Sequence, residues 1–131
     1  MKKVIHTQGK RKRSVARATL YPGKGLVKVN NTYLDNYGNE SLRLKISEPL
    51  VLAGEVLKKI DLDVTAAGGG VSGQADAVRM AIARALVLHD KKLKKVFYDY
   101  DRWLLVADVR RKEVRKPNDS KARAKRQKSY R

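Results

Sequence analysis

The chain has 131 residues, no cysteine, and 31 Lys and Arg against 13 Asp and Glu, a formal net charge of +18. That length suits one domain, and without cysteine a disulfide framework or a Cys-ligated zinc or iron–sulfur site is excluded. No apolar run approaches the ~20 residues of a membrane span, and the segment Met1–Thr7 lacks the apolar stretch of a signal peptide, so a cytoplasmic location is expected.

The charge is unevenly placed. Residues 1–34 hold nine cations and no acid, residues 35–109 hold eleven of each sign, and residues 110–131 hold eleven cations against Glu113 and Asp119. Two basic ends around a neutral body suggest a module embedded in a polyanion, nucleic acid before an anionic membrane surface. The division expected is a body over 1–109 and an extended basic tail over 110–131.

Val4 to Gln8 predicts a short strand, with His6 as an ordinary strand residue. Gly9-Lys10-Arg11-Lys12-Arg13 reads as a turn bearing four consecutive cations; with Arg17 these form a candidate phosphate clamp, the alternative being a solvated hairpin tip. Ser14 to Tyr21 predicts a second strand, with Ala16, Ala18 and Leu20 on one face and Val15, Arg17 and Thr19 on the other. Pro22-Gly23-Lys24-Gly25 is a hairpin signal leading to a third strand, Leu26 to Val29, closed by Asn30-Asn31, so an antiparallel meander is expected. Leu42, Leu44, Ile46, Leu50 and Leu52 then indicate helix, with Ser47-Glu48-Pro49 read as a fresh helix start and Gly54 as a terminator or a brief stop before Glu55 to Lys59. Ile60 to Ala66 alternates strictly and predicts a half-buried strand, with Asp61 and Asp63 on its wet face. After the glycine run comes a helix from about Gln74 to His89 with five alanines between 75 and 85, small enough to let it lie close on a sheet. A further helix from Lys91 to Tyr98 directs Leu93, Val96 and Phe97 inward and four lysines outward. The class is α+β, a mostly antiparallel sheet of four strands covered by helices.

Gly68-x-Gly70-x-x-Gly73 follows a strand and opens a helix, the setting of a dinucleotide turn. The acid expected after a following strand is missing, and no Lys-Ser/Thr pair closes a Walker loop. The same backbone N–H groups and helix N-terminus suit another anion, an RNA phosphate. Asp99, Asp101 and Arg102 read as an ion-pair cluster and His89 as a C-terminal cap, and neither histidine has a nucleophile at a recognisable spacing, so no catalytic group is expected. Arg79 and Arg84 lie about 140° apart on their helix and cannot form one fork; each pairs with Asp76 or reaches a phosphate. The last 22 residues cannot form a core, and their like charges oppose compaction. They are expected to order on a polyanion, with a nonspecific solubilising tail as the alternative. Tyr130 among Lys128 and Arg131 suits stacking combined with phosphate neutralisation.

The segments Gly9–Thr19, Glu48–Gly54, Gly68-Gly69-Gly70-x-x-Gly73-Gln74-Ala75-Asp76-Ala77 and Asp101-Arg102-x-Leu104-Leu105-Val106-x-Asp108-x-Arg110-Arg111-Lys112-Glu113 together resemble small-subunit ribosomal protein nine. The ending Ala122-Arg123-Ala124-x-Arg126-Gln127-Lys128-Ser129-Tyr130-Arg131 resembles its archaeal and eukaryotic branch, and the short N-terminus the archaeal part. The resemblance implies a non-enzymatic, cofactor-free protein bound to the 3′ major domain of rRNA in the small-subunit head, beside other head proteins. It implies a fold like the second domain of ribosomal protein five, with a left-handed βαβ crossover. The implied rRNA-binding residues are Lys10, Arg11, Lys12, Arg13, Arg17, Gly68, Gly69, Gly70, Gln74, Arg79, Arg110, Arg111, Lys112, Arg115, Lys116, Arg123, Lys125 and Arg126. Lys128, Ser129, Tyr130 and Arg131 are implied to reach peptidyl-site tRNA. The branch usually carries a glycine-rich bend where this chain has Pro117-Asn118-Asp119-Ser120-Lys121, so the resemblance supplies no path there. The competing functions are a nucleotide-dependent enzyme built on the 68–73 loop and a free-standing nucleic-acid-binding regulator.

Overall fold

A computed structural model describes residues 3–130. Strands β1 (Ile5–Arg11), β2 (Ser14–Pro22), β3 (Val27–Val29), β4 (Thr32–Tyr33) and β5 (Ile60–Ala67) form one sheet in the order β1-β2-β5-β3-β4. The sheet thus has five strands rather than four. The extra one arises because Asn30 and Asn31, at φ 51° and 65°, make the left-handed two-residue turn that folds β4 back on β3.

The expected meander is also corrected. β2 does not turn back onto β3; β5 lies between them, antiparallel to β2 and parallel to β3. The Pro22–Gly25 turn instead wraps over the start of β5. Gly23 N–H donates to Lys59 O at 3.1 Å and Gly25 N–H to Ile60 O at 2.9 Å. The Asp61 carboxylate accepts the N–H groups of Lys24, Gly25 and Leu26 at 2.8, 3.0 and 2.9 Å. These bonds, Leu26 first, hold its pKa below the ordinary carboxylate value, so Asp61 is a structural anchor rather than a merely solvated residue.

The parallel β3–β5 pair requires a crossover, supplied by helix α1 (Glu40–Ala53). Asn39 caps α1, accepting from Leu42 N–H at 3.0 Å. The helix runs through Pro49 where a break was expected. Leu42, Ile46, Pro49, Leu50 and Ala53 form a single buried stripe, so tertiary packing outweighs the lost backbone donor. Helix α2 (Val71–His89) begins earlier than its alanines suggest and is the central element, packed on α1 and across β1, β2 and β5. Ala75, Ala77, Ala81, Ala83 and Ala85 are fully buried. Contact with β1 is close enough that a Cβ at Gly9 would overlap Ala77 O and lie 2.8 Å from Ala81 N. Gly9 is therefore a strand residue selected for close approach, not part of the turn. Helix α3 (Leu93–Tyr100) buries Leu93 and Phe97 but leaves Val96 exposed. Helix α2 covers the sheet face carrying Ala16, Ala18, Leu20, Leu62 and Val64, and α1 and α3 pack against α2 around the same core.

Candidate nucleic-acid interface

The β1–β2 hairpin pairs Arg11 with Ser14, leaving Lys12-Arg13 as a two-residue loop with Lys12 at φ 54°. The four cations are thereby divided. Lys12 and Arg13 stand exposed at the tip. Lys10 lies on the helix-free sheet face, which Arg17 shares through its pairing with Gln8. Arg11 turns to the helix side, where its guanidinium lies 2.9 Å from Asp108 and 3.9 Å from Asp76. Lys45 also reaches Asp76, at 3.3 Å.

The glycine loop is locked onto this hairpin. Gly68 and Gly69 have φ of 79° and 61°; a Cβ on Gly68 would lie 2.5 Å from Arg13 O, and one on Gly69 would overlap Ser14 Oγ. Ser14, itself buried, donates from Oγ to Gly68 O at 3.0 Å. Gln74 donates its amide to the same carbonyl at 3.1 Å, so the structure gives it a role within the loop. Gly70 precedes the first turn of α2 with no side-chain cap, and nothing lies within 4 Å of a Cβ placed there. The leading N–H groups of α2 thus face outward without intrahelical partners.

A third wall comes from the root of the basic tail. Asp108 bridges in parallel to Arg11, and Arg110 grips the Asp108 carboxylate through Nε at 2.9 Å and Nη2 at 2.6 Å. The hydrogen bonds from Arg110, with Arg11 adding its charge, lower the Asp108 pKa to about 2; Asp108 in turn raises that of Arg110. Arg111 donates to Lys12 O. The three walls enclose an open groove of about 1160 Å³, lined by the Lys12-Arg13 tip, the Gly69–Gly73 turn and Arg110–Lys112. Among the described residues, no carboxylate pairs with Lys12, Arg13, Arg111 or Lys112. The groove therefore combines cations, outward N–H groups and exposed backbone, a chemistry suited to phosphates.

Two arginines on α2 belong to the fold. Arg79 donates to Glu48 on α1 and, at 3.0 Å, to Asp101. Burial opposes its charge, and these two carboxylates outweigh that and raise its pKa. Asp101 thus pairs with Arg79 instead of Arg102, and the Arg79 guanidinium is committed to two carboxylates. Arg84 donates to Leu105 O at 3.1 Å and Gln8 O at 2.9 Å. Along the tail, Arg115, Lys116, Lys125, Lys128, Ser129 and Tyr130 are exposed, while Arg123 pairs with Glu113 at 2.8 Å and Arg126 N–H donates to Asp119 at 3.2 Å. Arg131 lies outside the described residues.

Sequence reasoning missed Ser14 and Asp108. Ser14 had a signal: it is in phase with Ala16, Ala18 and Leu20 on the buried face, where a hydroxyl needs a partner. Asp108 is a lone acid ahead of a cationic run. The dinucleotide reading of the loop is weakened by the topology, because no strand follows α2 among the described residues to complete a βαβ return. No group of three or more His, Cys, Asp or Glu that could hold a metal ion occurs among the described residues, and no described helix is long and apolar enough to cross a membrane.

Residues 9–131, from the hairpin through the glycine loop to the end of the tail, match the family described as ribosomal protein S9/S16. The chain belongs to that family. It is 48% identical over 131 residues to the small ribosomal subunit protein uS9 of Pyrobaculum aerophilum, covering 98% of this chain and 92% of the relative. The uS9 of Thermoplasma volcanium is 53% identical over 129 residues, covering 97% and 98%. That of Methanothrix thermoacetophila is 47% identical over 131 residues, covering 98% and 99%. These relatives are archaeal, in keeping with the branch that the terminal residues resemble.

Proposed function

We propose that this protein is a structural, non-enzymatic constituent of the small ribosomal subunit in the cytoplasm, and that it binds rRNA of the head through the groove at the N-terminus of α2. The observation that carries the reading is the convergence there of the Lys12-Arg13 tip, the Gly69–Gly73 turn and Arg110–Lys112 on one open concavity. In this reading phosphates sit over the α2 N-terminus, flanked by cations from two chain segments far apart in sequence. The helix-free sheet face, with Lys10 and Arg17, adds a second basic approach. Arg115, Lys116, Arg123, Lys125 and Arg126 carry the tail along rRNA, and Lys128, Ser129, Tyr130 and Arg131 reach peptidyl-site tRNA. The β3–α1–β5 crossover is left-handed, as in the second domain of ribosomal protein five, and other head proteins are neighbours.

The deciding experiment is cosedimentation. After a high-salt wash of cell extract, the protein should remain with small subunits, and chemical footprinting should show head rRNA protected in its presence. Recovery as a free protein, or bound to unrelated nucleic acid, would overturn the assignment in favour of a free-standing regulator. Micromolar binding of a dinucleotide, lost on substitution at Gly70, would instead favour a nucleotide enzyme.

A further inference from the structure

A second concave site lies towards the other end of α2, with Arg84 in its wall eight residues, about 12 Å along the helix, beyond Asp76 of the phosphate groove. It is an open groove of about 430 Å³ between the last turn of α2, the start of α3 and the edge of β1. Its floor is aliphatic: Val87 and Leu105 are half-buried, and Leu88 is 55% exposed. Its rim is cationic. Arg84 is fixed in the wall by its bonds to Gln8 O and Leu105 O, and Lys94 lines the opposite side. Lys91, Lys92 and Lys95 are exposed on the adjoining turn. No carboxylate lines the groove.

We propose that this groove docks an extended segment of a partner protein, presenting one or two aliphatic side chains to Val87, Leu88 and Leu105 and carboxylates to Lys91, Lys94 and Arg84. The inference rests on the ribosomal reading above, which supplies the neighbours. The apolar floor favours protein over RNA. No aromatic ring lines it for a base to stack on, and Arg84, the cation in its wall, already commits Nε and Nη1 to Leu105 O and Gln8 O. The rim gives charge complementarity to an acidic strand, and the volume suits a few side chains rather than a packed helix.

The test is site-specific photo-crosslinking in assembled small subunits. A photoreactive phenylalanine analogue replaces Leu88 in one variant and Ser72, at the phosphate groove, in another. The expected result is a Leu88-site cross-link to a protein segment in which acidic residues flank an apolar one, and a Ser72-site cross-link to RNA. A cross-link from position 88 to RNA, to a segment without acids, or to nothing while position 72 reacts, overturns the docking proposal alone. If neither variant enters small subunits although both fold, the functional assignment itself fails. As a second readout, K91E/K94E in a chain of unchanged melting temperature should reduce the yield of the position-88 cross-link at least tenfold and leave that at position 72 intact; an undiminished yield rejects the acidic character of the partner.

Discussion

At the scale of single residues, the groove is built by contacts of the chain with itself, and glycines separate folding from binding. A Cβ on Gly9 would push β1 off α2, so Gly9→Ala should destabilise the protein by about 1–3 kcal/mol, the usual cost of overpacking, in denaturant unfolding. Gly69 combines φ 61° with overlap on Ser14, and its substitution should likewise weaken the fold. Gly70 has open space at ordinary φ. Gly70→Asn, a good residue at the N-cap position that Gly70 occupies, should therefore leave stability within about 0.5 kcal/mol while weakening RNA binding, because its side chain stands where the ligand approaches. Equal losses of stability at Gly69 and Gly70 would contradict this separation. Asp108 offers a titration. Its folded pKa of about 2 lies below its ordinary value of 3.8, so the stability it contributes is present above about pH 4 and lost as pH falls through 2. Carbon-13 NMR of its carboxyl should show that midpoint, moving up towards 3.8 in Arg110→Gln. A midpoint already near 3.8 in the unaltered chain would mean that the tail root is not held by Arg110 and Arg11.

At the scale of elements, what was legible in the sequence followed from local pattern. The β5 alternation, the faces of β2 and the alanine-rich α2 are encoded by nearest-neighbour periodicity, and the structure reproduces all three. What was not legible depends on partners distant in the chain. Pro22–Gly25 carries a correct turn signal, but whether it closes a hairpin or wraps over β5 is decided by Asp61, 36 residues from Gly25. Pro49 reads locally as a break, and only its place in the buried stripe of α1 keeps the helix continuous. The candidate site follows the same rule: its cations and glycines were visible, whereas Ser14 and Asp108, which hold them in place, act across 54 and 97 residues. Arg79 shows the consequence for function. It ties α1 to the 3₁₀ turn Arg102–Leu104 through Glu48 and Asp101. Arg79→Ala should cost about 1–3 kcal/mol, between a surface pair and a fully buried one after allowing for solvent screening. It should leave the salt dependence of RNA binding unchanged. The double change Lys12→Gln and Arg13→Gln should do the reverse, sparing stability and flattening the log–log salt slope by about 1.4 if each cation neutralises one phosphate of a single strand. An altered slope in the Arg79 variant would place that residue in the interface.

At the scale of the whole molecule, the neutral body and the two basic ends divide the work. The groove unites the N-terminal hairpin with the tail root at 110–112, so the two charged ends meet at one site although they are about a hundred residues apart. Beyond that root, the last residues should add little to attachment if, as proposed, the body and the cations from 110 to 116 engage many phosphates. Their chemistry suits a different task. Tyr130 is 91% exposed and can lay its ring on a ribose or base, Ser129 offers a small hydroxyl, and Arg131 brings a guanidinium. Together these should supply about 1–3 kcal/mol, one good stacking or charge-assisted contact after ordering costs. Because every elongator tRNA passes the peptidyl site, a contact made through ribose, phosphate and base face should not depend on tRNA identity. Deleting residues 129–131 should therefore leave small subunits assembled with the protein present, and lower peptidyl-site affinity by roughly 5- to 150-fold, similarly for different tRNAs, in filter-binding assays. Failure of the truncated chain to enter subunits would show that the last residues serve assembly. Unchanged tRNA affinity in assembled subunits would show that they do not reach the peptidyl site.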